Sequence, residues 1–314
     1  MAGFQHDREQ FEAGLREAGE HLEEQLREAG EHLREANEEI NRRAKRPLLP
    51  AILTGLVLGG AVIAGLFFPP VLAAFGMVLI SLAAFELATA LRDSGRRVPR
   101  VPLVVLTASI VAASFWFGAW WHWIVFLASC GVLVLWRLAE LAAPRLRGTV
   151  RTVAADIGAG AFVLTYVAFL SSFITLLLGR PDGPAWVLGF LVVVVVVDIS
   201  AFAVGVSLGK HPMAPKVSPA KSWEGFGGAA AGALIAGVVV SAFVLGQPWW
   251  FGLVFGAVLL GTATIGDLAE SIIKRDLGVK DMSSWLPGHG GVLDRIDGVI
   301  LSGAAAYAMY LIAH

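Results

Sequence analysis

Nine times between residue 48 and the C-terminus, the chain returns to an apolar run of membrane-crossing length, and this pattern limits its fold more than any other feature. The runs are read at about 48–68, 71–91, 101–118, 120–139, 155–179, 184–208, 225–246, 248–267 and 296–313. A hydrocarbon core of about 30 Å takes about 20 helical residues to cross. In lipid, every backbone N–H and C=O must be satisfied within the chain, so such runs fold as helices. Only 16% of the 314 residues are charged, whereas a soluble domain is about a quarter charged. The expected architecture is therefore all-α: a polytopic helical membrane protein with about nine transmembrane helices. The divisions at Gly118–Trp121 and Gly246–Trp249 are the narrowest, because two runs nearly touch there. Trp120, Trp121 and Trp123, and again Trp249 and Trp250, fit aromatic belts at the membrane interface.

Lysine and arginine placement orients the spans. With the N-terminus inside, the inner loops hold Arg92, Arg96, Arg97 and Arg100, then Arg145, Arg147 and Arg151. Lys210, Lys216 and Lys221 follow, then Lys274, Arg275, Lys280 and Arg295. Only Arg180 falls outside. The positive-inside rule then gives an N-in, C-out topology. It places both long polar loops, 209–224 and 268–295, in the cytoplasm, and the protein in the cell membrane as a multi-pass component. The single cysteine, Cys130, excludes an intrachain disulfide and a cysteine-rich metal site. The charged N-terminus lacks an early apolar core, so no cleavable signal peptide is expected.

Residues 1–46 form a separate, charged arm, with residues 47–314 as the membrane domain. The arm holds eight of the 24 basic and twelve of the 25 acidic side chains. LREAGEHL occurs at 15–22 and again at 26–33, an eleven-residue period close to that of a straight helix. Phe11, Leu15, Leu22, Leu26, Leu33 and Ile40 form its thin apolar stripe, so the arm reads as an amphipathic cytoplasmic helix. Arg42, Arg43, Lys45 and Arg46 close it as a basic anchor for anionic head groups.

Chemistry concentrates in the two polar loops. The first, GKHPMAPKVSPAKSWEG, supplies Lys210 and Lys221 as point charges for phosphate, with Ser218 and Ser222 as hydrogen-bond donors. Its prolines stiffen it. Around the second, Asp267, Glu270, Ser271 and Lys274 share one helix face at spacings of three or four. Asp294 and Asp297 open the last span, where the helix dipole favours carboxylates. Asp267, Asp294 and Asp297 together make a set of hard oxygen ligands of the kind magnesium prefers. Within PGHGGVLDR, Gly290 and Gly291 allow backbone N–H groups to approach an anion, and His289 offers a phosphate contact or a positioning group. Asp198, after the run LVVVVVV, is an ionisable group within a span and so a functional candidate. Glu86 is a similar case in the second span, and it reads as a polar contact within the bundle.

These residues resemble the phosphatidate cytidylyltransferase, or CDP-diacylglycerol synthase, family. Its signature is carried by Ser271-Ile272-Ile273-Lys274-Arg275, then Lys280-Asp281, then Pro287-Gly288-His289-Gly290-Gly291-Val292-Leu293-Asp294-Arg295-Ile296-Asp297. Ser218-Pro219-Ala220-Lys221-Ser222-Trp223-Glu224-Gly225 is similar to a second family element. The resemblance covers about residues 48–314. It implies transfer of CMP from CTP to phosphatidic acid, giving CDP-diacylglycerol and pyrophosphate. It also implies magnesium at Asp267 and Asp294 with Asp297 and Lys274 in the same site, a monovalent cation such as potassium beside it, a homodimer, and no nucleic-acid partner. Lys274, Arg275, Arg295, Asp297 and His289 are then the expected catalytic group. Ser218, Lys221, Ser222, Lys210, Asp198, Lys280, Gly290 and Gly291 are expected around the substrate phosphates. Two other readings are a CTP-dependent polyprenol or phytol kinase and an ion-coupled transporter using Asp198, Glu86 and Asp267. The DGxxAR pattern of CDP-alcohol phosphotransferases is absent from the sequence.

Overall fold

The structure, a computed structural model, describes Arg27 and residues 48–143, 148–283 and 290–314. The amphipathic helix expected over 1–46 lies outside the described residues except for Arg27, and so does His289. The chain divides into two units, Met1–Gly55 and Leu56–His314, and the second holds the helix bundle and the polar loops.

Among the described residues the chain is mostly helical. The helices are α1 (Leu48–Leu66), α2 (Pro69–Asp93), α3 (Arg100–Phe117), α4 (Ala119–Glu140), α5 (Val150–Leu178), α6 (Gly183–Leu208), α7 (Trp223–Phe243), α8 (Trp249–Leu277) and α9 (Leu293–Ala313). Eight of these, α2 to α9, are long and apolar enough to cross a membrane, which makes this a multi-pass membrane protein. Local chemistry sets several helix ends. Pro69 and Pro184 stand in the first turns of α2 and α6, where a missing N–H costs nothing. Thr149 caps α5 by accepting the N–H of Thr152 at 3.3 Å, and Ser222 caps α7 by accepting that of Gly225 at 3.1 Å.

One expectation is corrected and one boundary is extended. The stiff loop over 209–224 contains an antiparallel ribbon, β1 (Pro212–Ala214) with β2 (Ser218–Ser222), pairing Pro212 with Ser222 and Ala214 with Ser218. The fold is therefore all-α except for this hairpin among the described residues. Glu224 clamps its base, accepting the N–H groups of Lys210 (3.1 Å) and His211 (3.2 Å) and bonding His211 Nδ1 at 2.5 Å. The eighth span, expected to end at residue 267, continues as helix to Leu277. At 1.5 Å per residue α8 is about 44 Å long, against an apolar core of about 30 Å. The helix is thus about a third longer than that core, and the polar residues from Asp267 onward occupy its C-terminal end.

Two apolar cores hold the bundle together. One joins α6, α7 and α8 with the end of α5, around Trp186, Phe190, Phe255 and Leu259. The other joins α2, α3 and α5, around Leu87, Leu103, Ile110 and Leu164. Helix α9 belongs to both: Leu293 and Ile300 enter the second core, and Ala306, Tyr307 and Tyr310 the first. Because lipid gives no hydrophobic drive for helices to associate, contact relies on small residues and interhelical hydrogen bonds. Thr262 on α8 and Ser302 on α9 share such a bond at 3.1 Å. Arg137 on α4 is buried and reaches Asp156 on α5 with Nη2 at 2.9 Å and Nε at 3.1 Å, while the Arg97 N–H donates to the other Asp156 oxygen at 3.0 Å.

Candidate active site

The C-terminal end of α8 is where the chemistry gathers. Asp267, Glu270 and Lys274 lie on one face of this helix, as their spacing requires. The N-terminal part of α9 packs against the same region at very close range. A Cβ at Gly266 would stand 2.4 Å from the Asp297 carbonyl oxygen, so only glycine admits this approach. The result is a convergence of three carboxylates: one oxygen each from Asp267, Glu270 and Asp297 lie within 4.8 Å of one another.

Lys274 stands behind this cluster. Its Nζ lies 2.6 Å from Glu270 Oε2 and 3.1 Å from Asp294 Oδ1. Glu270 is buried at 1% exposure, and its Oε1 has no hydrogen-bond partner among the described residues. Asp294 faces the loop instead: its Oδ2 accepts the N–H of Gly291 at 2.7 Å and that of Met282 at 3.2 Å. Asp297 Oδ1 accepts the N–H of Gly298 at 2.8 Å.

The opposite side is built by the hairpin and α6. Lys221 on β2 forms an ion pair with Asp267. Asp198 on α6 is exposed and lies within electrostatic reach of Asp267, Asp297 and Lys221. Five carboxylates therefore face two lysines. Two like charges about 4 Å apart repel by about 4 kcal/mol at an effective dielectric of about 20, so this group calls for added positive charge. The donor set, all hard oxygens with one buried oxygen unpartnered among the described residues, suits a divalent cation such as magnesium.

The other expected residues fall around the rim. Arg275 is exposed and donates through Nε to the Val217 carbonyl at 3.3 Å, tying the end of α8 to the hairpin turn. Arg295, Lys210 and Lys280 are exposed, whereas Ser218 and Ser222 are half-buried. The Ser222 hydroxyl oxygen serves as the α7 cap. Gly290 sits at φ +77°, and a Cβ there would come within 2.6 Å of Asp294 Oδ2. The Gly291 N–H, expected to meet a substrate anion, is turned onto Asp294.

Two residues at the cluster lie outside the set expected to carry its chemistry. Glu270 shares the Asp267 face at a spacing of three, and that spacing is its only signal in the sequence; its burial is set by α9. Tyr166, 7% exposed, comes from a π-helical turn, Leu164–Phe169, within α5. Its hydroxyl has no hydrogen-bond partner among the described residues, and it lies within electrostatic reach of Asp297, Glu270 and Asp267. No motif marks it, although π-helical turns often occur at functional sites.

A membrane bundle with acidic and lysine side chains at a helix end is a setting for phosphate chemistry, and comparison with known proteins gives the class. The profile of the "Cytidylyltransferase family" matches residues 50–313, and the chain belongs to that family. It is 37% identical to a phosphatidate cytidylyltransferase of Mycobacterium bovis over 271 residues, 84% of this chain and 89% of that protein. It is 36% identical to that of Mycobacterium leprae over 282 residues, 85% and 88% of the two chains. A shorter match, 41% over 145 residues, reaches the phosphatidate cytidylyltransferase of Brucella abortus and covers 46% of this chain and 54% of that one.

Proposed function

We propose that this chain transfers CMP from CTP to phosphatidic acid, releasing pyrophosphate and leaving CDP-diacylglycerol in the membrane. Family membership and the named relatives support this reading. The observation that carries it is the convergence of Asp267, Glu270 and Asp297 with Lys274 and Lys221 at the C-terminal end of a membrane-length helix. There a lipid head group and a water-soluble nucleotide can meet.

An oxygen of the phosphatidic acid monoester attacks the α-phosphorus of CTP, and the bond from that phosphorus to the α–β bridging oxygen breaks. The monoester is already anionic near neutral pH, so the main obstacle is bringing two polyanions together. Lys221 exchanges Asp267 for triphosphate oxygens, and Lys274 holds positive charge beside the carboxylates as charge moves onto the pyrophosphate. Arg275 and Arg295 add positive charge at the rim, and Ser218 donates to phosphate oxygens. We assign magnesium to Asp267, Glu270 and Asp297, with Asp294 adjacent across Lys274. Held by these carboxylates, magnesium would supply positive charge against the triphosphate and the departing pyrophosphate. A monovalent cation such as potassium beside the magnesium is kept from the family resemblance as part of the same proposal.

The topology completes the proposal. If the 19-residue α1 is counted as a ninth crossing, the positive-inside rule favours a cytoplasmic N-terminus and a cytoplasmic site among the basic loops. A C-terminal alkaline phosphatase fusion should be active and a C-terminal green fluorescent protein fusion dark. The reaction is tested with purified protein, CTP labelled in its cytosine, and phosphatidic acid in mixed micelles. The label should appear in the lipid product with release of pyrophosphate. Labelled CDP beside a newly phosphorylated alcohol would instead indicate a lipid kinase.

A further inference from the structure

We infer that Glu86 is a positioning residue that mounts the N-terminus of α9, and with it Asp294 and Asp297, against the end of α8. Glu86 lies within α2 and is 2% exposed. A carboxylate in a span is costly unless its oxygens are hydrogen-bonded. Its described hydrogen-bond donors come from a segment about 200 residues away: Oε1 accepts the Ser283 hydroxyl at 2.5 Å and the Val292 N–H at 2.9 Å, and Oε2 accepts the Leu293 N–H at 2.9 Å.

The two backbone donors are the first N–H groups of α9, which have no acceptor within the helix. The Val292 side chain supplies no cap. Glu86 therefore acts as a cap from another helix, and its negative charge sits at the positive end of the α9 dipole. Gly291 is fitted to it, because a Cβ there would stand 2.8 Å from Glu86 Oε2. The Gly291 N–H is in turn held by Asp294. Three successive N–H groups, from Gly291 to Leu293, are thus committed to protein carboxylates. With its N–H held by Asp294, Gly291 is part of the mount for α9. Asp294 follows Leu293 directly and Asp297 lies one turn on, so the two Glu86 oxygens set the depth and rotation of both side chains. Glu86 touches none of the reacting groups and acts through α9.

The inference rests on the carboxylate site described above, and its test includes measurements that need no turnover. Glu86→Gln keeps the side chain's volume but places an NH2 where one backbone donor requires an acceptor. Losing a charge-assisted bond of this kind should lower kcat by about 10- to 100-fold while the KM for CTP moves less than about 3-fold. Binding of Mn2+ to the detergent-solubilised protein, read by electron paramagnetic resonance, should weaken by about 10-fold. Hydrogen exchange in the peptide spanning 290–297 should accelerate in the variant and be slow in the unaltered protein. Leu133→Ala, a core truncation on α4 against Gly160, serves as a control for general destabilisation. Fast exchange at Val292 and Leu293 in the unaltered protein would overturn the inference even if the variant does not fold. So would a Glu86→Gln protein that matches Leu133→Ala in kcat and Mn2+ affinity at equal loss of Tm.

Discussion

Replacing Gly266 with alanine tests the close contact that brings the carboxylates together. The added Cβ would lie 2.4 Å from the Asp297 carbonyl oxygen, 3.1 Å from its carbonyl carbon and 3.2 Å from the Gly298 Cα. All three are backbone atoms of α9, so no rotamer change relieves the clash. Ordinary contact begins near 3.4 Å, so α8 and α9 must separate by about 1 Å at the level of Asp267 and Asp297. Overpacking of this kind costs about 1–3 kcal/mol. A displacement of about 1 Å in a positioned site can cost about 100-fold in rate. Cytidylyl transfer by Gly266→Ala should fall by about that factor, and its Tm in detergent should drop. Gly261→Ala, one or two turns earlier on α8 with nothing within 4 Å of its Cβ, should keep its activity and gain up to about 1 kcal/mol from helix propensity. The assay is label transfer from CTP to phosphatidic acid, run beside thermal unfolding. A Gly266→Ala protein with more than half the unaltered rate and an unchanged Tm would refute the idea that this contact sets the spacing of the carboxylates.

Three further outcomes are expected. Asp294→Asn keeps the shape that accepts the Gly291 and Met282 N–H groups but removes the charge facing Lys274, so turnover should fall by a factor on the order of 10²–10³ with the fold intact by thermal unfolding; substantial magnesium-dependent activity would remove Asp294 from the site. Lys221→Ala should raise the KM for CTP by about 10- to 100-fold, the weight of one or two charge-assisted bonds, and an unchanged KM would move Lys221 out of the nucleotide site. Arg137→Met leaves Asp156 buried without its cation, which should cost about 3–5 kcal/mol of stability; Tm should drop while the KM for CTP stays constant, and a shifted KM would place this pair in the substrate site.

Most helix positions were legible because lipid allows little else. The runs at 71–91, 101–118, 120–139 and 184–208 correspond to α2, α3, α4 and α6 to within a few residues. Hydropathy put the end of the eighth run at 267 because it marks where lipid ends; the spacing of Asp267, Glu270, Ser271 and Lys274 already carried the helix to 274, and it ends at Leu277. The ribbon at Pro212–Ser222 was missed because proline-rich polar sequence suggests an irregular loop. Its pairing is fixed by contacts such as the Glu224 clamp, which depend on where α7 begins.

The candidate site divides along the same line. Local sequence alone determined that Asp267, Glu270 and Lys274 share a face, that two aspartates open α9, and that lysines precede α7, because helix periodicity and loop composition act over a few residues. Tertiary structure decided which carboxylates meet. Asp294 and Asp297 are three residues apart and equivalent by spacing, yet the close approach at Gly266 brings Asp297 to Asp267 and Glu270, while Asp294 is drawn to Lys274 and the loop. Glu86 has no local signal for its role, since its partners lie about 200 residues away. Depth and rotation of one helix against another depend on backbone contact and capping across the whole bundle, and no local stretch of sequence contains those distances.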